Sequence, residues 1–311
     1  MWKYDYEVPA QKQIRLIIHT DCANEADDQY AVAHQLMTPK FDVRGIIAGH
    51  FDAVTKFTST YQPATTAKAS YEEVQKILKL MGVEKEYAIY KGSEVALEDE
   101  TTPIVTEAAK FIIEEAMRED TRPLFIGCQG AITDLACAIL MKPEICEKMT
   151  AIWVGGGDFP EGGDEFNLMQ DIFAANVVYA SKMPLWQIPK AVYKTLSVSL
   201  AELQYKVKPQ GEIGAYLFSN MAALNMKYQD IHPWPHGEIW GLGDQSILAV
   251  LMEEAERTDG YQEIEAPRVS YTDMKYTTNT GYRKIRVYNR IDYRLTLEDL
   301  FAKLAINYGN K

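Results

Sequence analysis

The sequence has few cysteines, no long apolar run and no excess of basic charge, and each absence narrows the possible functions. Its 311 residues carry 32 Lys and Arg against 44 Asp and Glu, a net charge of −12. A basic surface that could bind a phosphate backbone is not expected, so we predict no nucleic-acid partner. No stretch approaches the roughly 18 apolar residues of a membrane span, so we predict no membrane partner either.

The cysteines and the first residues bear on the cellular compartment. Cys22, Cys128, Cys137 and Cys146 show neither a metal-ligand spacing nor a CxxC motif, which is typical of reduced thiols. The start, MWKYDYEVPAQKQ, lacks the basic and then apolar pattern of a signal peptide. We therefore expect a cytoplasmic protein.

Short apolar runs alternate with segments of helical periodicity along most of the chain. Runs such as IRLIIHT, FDVRGIIA and MTAIWV are followed by helix-like segments such as DDQYAVAHQLM and DIFAANVVYASKM. This alternation predicts an α/β fold with an open, mostly parallel, Rossmann-like sheet flanked by helices. With 47% hydrophobic residues the chain can bury one large core. We expect a single domain over residues 1–311, with a less regular flap at about 206–243.

Four carboxylates, Asp21, Glu25, Asp27 and Asp28, follow the first predicted strand within eight residues. Like charges this close repel each other, and burial would penalise their ionised forms further. A hard dication such as Ca²⁺ or Mg²⁺ would supply the missing charge. Neighbouring helix residues point about 100° apart, so Asp27 and Asp28 can differ in role, one binding the metal and the other accepting a proton. The alternative is that one aspartate caps the helix and the others are solvated.

Four blocks of this sequence resemble the nucleoside hydrolases, the inosine-uridine-preferring superfamily. HTDCANEADDQYAVA is similar to the family signature DTDPGxDDAxA, with five residues instead of three between the first Asp and the Asp pair. This longer loop resembles a divergent branch of the family. GAITDLA resembles the family's GPLTNLA, GGGDFPEGGDEFNLMQDIFAA resembles its EFNxxxDPEAA block, and GLGDQSILAV resembles its HDPxAV.

The resemblance implies the nucleoside hydrolase fold and calcium-dependent hydrolysis of the N-glycosidic bond of a ribonucleoside, as in nucleoside salvage. Asp27 would be the catalytic base that activates a metal-bound water. The implied calcium ligands are Asp21, Asp28, the main-chain carbonyl of Thr133 and Asp244. The implied sugar and pocket contacts are Glu165, Asn167 and His50. The family also implies a homo-oligomer, a dimer or tetramer. The expected binding partner is a small-molecule nucleoside substrate.

The source of the proton for the leaving base is open. Gly243 stands where many family members carry the His that protonates it. His232 and His236 lie on the predicted flap, and either could supply this proton or simply belong to a surface loop. Trp234 and Trp240 could stack on the base or pack beneath the flap.

Other functions and roles remain open from the sequence. The substrate could be a modified nucleoside, such as a modified purine or deazapurine, or another ribosyl compound. A non-catalytic nucleoside- or sugar-binding protein on the same fold is a further alternative. A phosphatase of the haloacid-dehalogenase type is disfavoured because Ala23 replaces the second Asp of its DxD pair. We expect Asp171 to cap the next helix and Asp134 to act at a helix start.

Overall fold

A computed structural model describes residues 2–56, 59–230, 234–253, 257–278 and 280–309. The strands within these ranges are Ile14–Thr20 (β1), Phe41–Ala48 (β2), Ile89–Lys91 (β3), Leu124–Cys128 (β4), Thr150–Val154 (β5), Leu185–Ile188 (β6), Ser197–Ser199 (β7), Ile239–Gly241 (β8), Tyr261–Glu265 (β9), Arg268–Val269 (β10), Tyr276–Thr277 (β11) and Lys284–Tyr288 (β12). The helices are Asp28–Leu36 (α1), Thr66–Met81 (α2), Glu107–Ala116 (α3), Thr133–Met141 (α4), Phe166–Gln170 (α5), Ile172–Ala180 (α6), Lys190–Tyr193 (α7), Leu200–Lys206 (α8), Gly211–Lys227 (α9), Ser246–Met252 (α10) and Tyr293–Tyr308 (α11).

The main sheet has eight strands in the order β3-β2-β1-β4-β5-β6-β12-β9. Neighbouring strands pair in parallel from β3 to β12, and the edge strand β9 is antiparallel to β12. This mostly parallel sheet between helices confirms the predicted α/β fold. The pattern did not single out β9 and β12.

Strand β1 lies at the centre of the sheet, and all seven of its residues are buried. Because successive side chains alternate between faces, Leu16 and Ile18 join the apolar core on one side of the sheet and Ile17 joins the core on the other. Helices therefore cover both faces, which explains why the strand reads as one continuous apolar run.

The carboxyl end of β1 lies at a crevice in the sheet. β1 pairs with β2 on one side and with β4 on the other. The chain therefore adds β2 and β3 on one side of β1 and then returns to add β4 and β5 on the other side. Ligands in open α/β sheets bind at such a switch point, beyond the carboxyl ends of the strands. The acidic loop begins at this point.

The segment predicted as a less regular flap, at about 206–243, contains one long helix. Helix α9 accounts for 17 of its 38 residues and contacts α2, α8 and α11. Ile213, Leu217 and Met221 are buried at a spacing of four residues and form the apolar stripe that fixes the helix to the domain.

Two expectations on composition can be compared with the structure. The four cysteines are buried free thiols, in agreement with their spacing. Among the described residues, no helix combines the length and the apolar character needed to cross a bilayer.

Candidate active and metal site

The acidic loop between β1 and α1 is held by main-chain contacts. Asn24 N–H donates to the carbonyl of Asp21 at 2.9 Å. From the first turn of α1, the Gln29 side-chain amide donates to the carbonyls of Cys22 at 2.7 Å and Glu25 at 3.2 Å. These contacts fold the loop back against its own helix, so its carboxylates face the crevice.

Three carboxylates converge at the base of the crevice. Carboxylate oxygens of Asp27, Asp28 and Asp244 lie within 4.8 Å of one another, an arrangement that could hold a metal ion. Asp28 Oδ1 accepts hydrogen bonds from the Thr20 hydroxyl and, at 3.4 Å, from the Gln129 side-chain amide. Asp244 N–H donates to Asp27 Oδ2 at 3.3 Å.

Asp21 adds a fourth carboxylate to the wall of the crevice. Its side chain is buried, and Oδ2 has no hydrogen-bond partner among the described residues. A Cβ at Gly130 would lie 2.7 Å from Asp21 Cγ, so glycine at this position leaves room for the carboxylate. A buried carboxylate oxygen without a donor is costly, and a cation would satisfy it.

The carboxylates of this cluster repel one another. Burial raises the pKa of Asp28 to about 6 and that of Glu25 to about 7. Burial and the neighbouring carboxylates raise the pKa of Asp21, Asp27 and Asp244 well above the ordinary value. Several oxygen ligands that need a positive charge fit a hard dication.

Thr133 and His50 are not among the residues that line this crevice. Thr133 begins α4, where helix geometry pairs its carbonyl with the amide four residues on. Its hydroxyl donates to Asp171 Oδ2 at 2.7 Å and accepts from His50 Nε2 at 2.8 Å. Burial lowers the pKa of His50 to about 4, so its ring is neutral. From the same segment, Gln129 lines the crevice instead.

The two helix-start aspartates have structural roles. Asp171 Oδ1 accepts from Ala174 N–H at 2.8 Å, which confirms it as the cap of α6. Asp134, in the first turn of α4, accepts from Ser93 N–H at 3.0 Å and contacts His19 Nε2 at 3.1 Å. Both aspartates connect separate segments of the chain, Asp134 through Ser93 and Asp171 through Thr133.

Glu165 and Asn167 line the crevice, but Glu165 is occupied by protein donors. Its Oε2 accepts from the N–H groups of Gly156 at 2.7 Å and Leu168 at 2.8 Å. Its Oε1 accepts from Asn167 N–H at 3.1 Å and from the Tyr193 hydroxyl at 2.8 Å. The carboxylate therefore caps α5 and has four donors.

Two connected clefts make up the site. The inner cleft, of about 390 Å³, contains the carboxylates, and the outer cleft, of about 1210 Å³, opens from it. The residues that line both are Glu25, Asp27, Phe166, Tyr193 and Gly243. Sequence reasoning missed Tyr193, whose one available signal is its place shortly after the apolar run of β6.

The outer cleft has an aromatic wall. Trp234 and Trp240 meet edge to face with ring centroids 5.4 Å apart. Trp240 is buried in the core and His236 is exposed, yet both line the outer cleft. His232 lies outside the described residues.

A comparison with curated proteins finds relatives by sequence. RihB of Shigella boydii, named as a putative pyrimidine-specific ribonucleoside hydrolase, is 29% identical over 128 residues, which are 40% of this chain and 52% of that protein. The match thus spans about half the length of this curated relative.

Solved structures cover nearly the whole chain. A purine-preferring ribonucleoside hydrolase from Gardnerella vaginalis has a TM-score of 0.73 at 17% identity, over 94% of this chain and 98% of that one. The type III effector protein XopQ, solved with adenosine diphosphate ribose, has a TM-score of 0.67 at 14% identity, over 95% and 94%. At these identities the likeness shows the fold alone.

The family model described as inosine-uridine preferring nucleoside hydrolase matches residues 16–294. This range contains the whole acidic loop, the α5 segment and Asp244. The chain belongs to the inosine-uridine preferring nucleoside hydrolase family.

Proposed function

We propose that this protein hydrolyses the N-glycosidic bond of a ribonucleoside and releases the base and ribose. The observation that carries the proposal is the convergence of Asp27, Asp28 and Asp244 within 4.8 Å at the carboxyl end of the central strand. Family membership over residues 16–294 and the open aromatic cleft beside the carboxylates support it.

The metal in this proposal is calcium. Asp21, Asp28 and Asp244 would hold it, because their buried oxygens are hard ligands that lack a compensating charge. Bound there, calcium would fix the sugar hydroxyls and lower the pKa of water. The Thr133 carbonyl stays a prediction, and Gln129 is the residue of that segment that reaches the cleft.

Asp27 is the proposed catalytic base. Its Oδ2 is oriented by Asp244 N–H, and its side chain is partly exposed towards both clefts. A base in such a position contributes about 10²- to 10⁴-fold to the rate. The surrounding carboxylates would stabilise the positive charge that develops on the sugar ring, and Asn167 would contact a sugar hydroxyl.

The base to be released is open because the relatives differ. RihB is named pyrimidine-specific and the Gardnerella protein purine-preferring. The solved complex of XopQ with adenosine diphosphate ribose favours a second candidate, another ribosyl compound. Modified nucleosides belong to the same test. His236 remains a candidate donor to the leaving base. The oligomeric state and the cellular compartment stay predictions of the sequence.

The test is base release from a panel of common and modified ribonucleosides, their 2′-deoxy analogues and adenosine diphosphate ribose, measured by chromatography with added calcium. Asp27→Asn should lower kcat by at least about 10²-fold, whereas Asp273→Asn, an exposed aspartate, should change nothing. Deoxy analogues should be poor substrates because a site built for hydroxyls rejects compounds that lack them. If the wild type binds nucleoside calorimetrically but releases no base, it is a binding protein.

A further inference from the structure

Tyr193 and Gly243 share one space at the junction of the two clefts. A Cβ at position 243 would lie 2.9 Å from Tyr193 Cδ2 and 3.6 Å from Asp27 Oδ2. The first distance is a clash, and the second is ordinary contact. Any side chain at position 243 would therefore have to displace the ring of Tyr193. The observed position of the ring thus requires glycine at position 243.

The ring of Tyr193 is held in this place from its far end. Its hydroxyl donates to Glu165 Oε1 at 2.8 Å, and Glu165 is itself fixed by three main-chain N–H groups at 2.7–3.1 Å. Burial and the Glu165 charge hold the pKa of the Tyr193 hydroxyl far above its usual range. The hydroxyl is thus a fixed, neutral donor.

The position of Tyr193 relates it to the leaving group. The ring lines the inner cleft, where the carboxylates would hold the sugar, and also the outer cleft with Phe166, Trp234 and Trp240. A base attached to a sugar in the inner cleft must pass this junction. An aromatic face at that point suits a flat ring, by stacking or by edge-to-face contact.

We propose that Tyr193 is the residue that positions the leaving base in this protein, with its ring in the space that a side chain at position 243 would need. The proposal rests on the proposed hydrolysis and deepens it. It assigns leaving-group recognition to an aromatic ring face at the junction of the two clefts, and it explains why position 243 is glycine.

The first test compares two substrates that differ only in the leaving group: the best nucleoside of the panel and ribofuranosyl fluoride. Fluoride is a single atom and has no ring to place. Tyr193→Ala should lower kcat/KM for the nucleoside by about 10- to 100-fold, the range of one base–aromatic contact, and that for the fluoride by less than about 3-fold. Tyr193→Phe should leave the ratio of the two constants unchanged, because the ring is retained. Tyr193→Leu keeps apolar bulk and replaces Tyr193→Ala if that variant does not fold.

The second test uses the contact with position 243. Gly243→Ala alone should lower kcat/KM for the nucleoside, because the new Cβ displaces the ring. The double variant Tyr193→Ala with Gly243→Ala should be no worse than Tyr193→Ala, because the clash is gone. Gly260→Ala is the matched control, since its Cβ would meet nothing closer than 3.7 Å and lies away from the clefts.

The results separate the two claims. If Tyr193→Ala lowers both substrates equally, Tyr193 only supports Glu165 and the proposal is overturned. Additive losses in the double variant would overturn it as well. If the wild type, with calcium, cleaves neither substrate, the proposed hydrolysis fails and the inference fails with it.

Discussion

Removal of the calcium ion that we propose for this site should destabilise the protein far more at pH 7.5 than at pH 5. In the folded state burial raises the pKa of Asp28 from 3.8 to about 6 and that of Glu25 from 4.5 to about 7. Because the folded state holds these protons more tightly than the unfolded chain, their stabilising contribution is complete below about pH 4. It is lost as the pH rises through the folded-state values.

The expected size follows from Asp28. One pKa unit corresponds to about 1.4 kcal/mol, so the shift of this buried carboxylate from 3.8 to about 6 makes the free energy of unfolding about 3 kcal/mol lower at pH 7.5 than below pH 4, and about half of this loss falls between pH 5 and pH 7.5. Asp21, Asp27 and Asp244 shift in the same direction. For a chain of this length a change of about 1 kcal/mol moves Tm by about 2 °C. The Tm of the metal-free protein should therefore be lower at pH 7.5 than below pH 4 by about 6 °C or more.

The assay is thermal unfolding of dialysed, metal-free protein at pH 5, 6 and 7.5, with and without excess calcium. Calcium should raise Tm little at pH 5, where protons already neutralise the cluster, and strongly at pH 7.5. Burial lowers the pKa of His34 and His50. Their protonation at low pH therefore lowers the free energy of unfolding with or without calcium. Because they titrate with or without calcium, the difference between the two curves removes them.

Two variants complete the experiment. Asp28→Asn should raise the Tm of metal-free protein at pH 7.5, because it removes a buried charge, and should abolish most of the calcium effect. Asp273→Asn, at an exposed position, should behave as wild type. An equal calcium shift at pH 5 and pH 7.5, or a metal-free Tm that is highest at pH 7.5, would refute the reasoning.

Two further predictions concern buried carboxylates outside the clefts. Glu115 is 1% exposed and pairs with three arginines at 2.8–3.0 Å. Glu115→Ala should therefore lower the free energy of unfolding in urea by about 3–5 kcal/mol. Glu114→Ala, at an exposed neighbouring position, is the control, and a loss below about 1 kcal/mol for Glu115→Ala would contradict the prediction. Asp171→Ala removes the cap on Ala174 and the partner of the Thr133 hydroxyl, for which we expect a loss of about 2–4 kcal/mol, partly restored in Asp171→Asn.

The acidic half of the site could be predicted because its members are close in sequence. Asp21, Asp27 and Asp28 follow one buried strand, and the repulsion expected between them already favours a bound cation. Asp244 could be placed only through the resemblance of its motif, since more than 200 residues separate it from the loop. The structure brings its carboxylate to the same point.

The opposite wall of the cleft could not be predicted from pattern. Tyr193 reaches Glu165 because β5 and β6 are neighbours in the sheet and the segments after their carboxyl ends meet there. A sequence motif also does not predict which partners a side chain contacts. His50 and Thr133 stand at matching positions of the sequence, yet the His50 ring bonds the Thr133 hydroxyl and that hydroxyl donates to Asp171.

The lengthened loop is best understood as part of the cleft wall. Its residues are tied from two sides, by Gln29 from α1 and by the Tyr61 hydroxyl, which donates to the carbonyl of Ala23 at 2.8 Å. A loop fixed in this way is a surface of defined shape, and it places Glu25 at both clefts. Burial raises the pKa of Glu25 and the nearby Lys194 lowers it, so the loop brings a carboxyl group near a lysine that also lines the outer cleft. Variation in this loop should therefore alter which substrates enter while the sheet and its carboxylates stay in place.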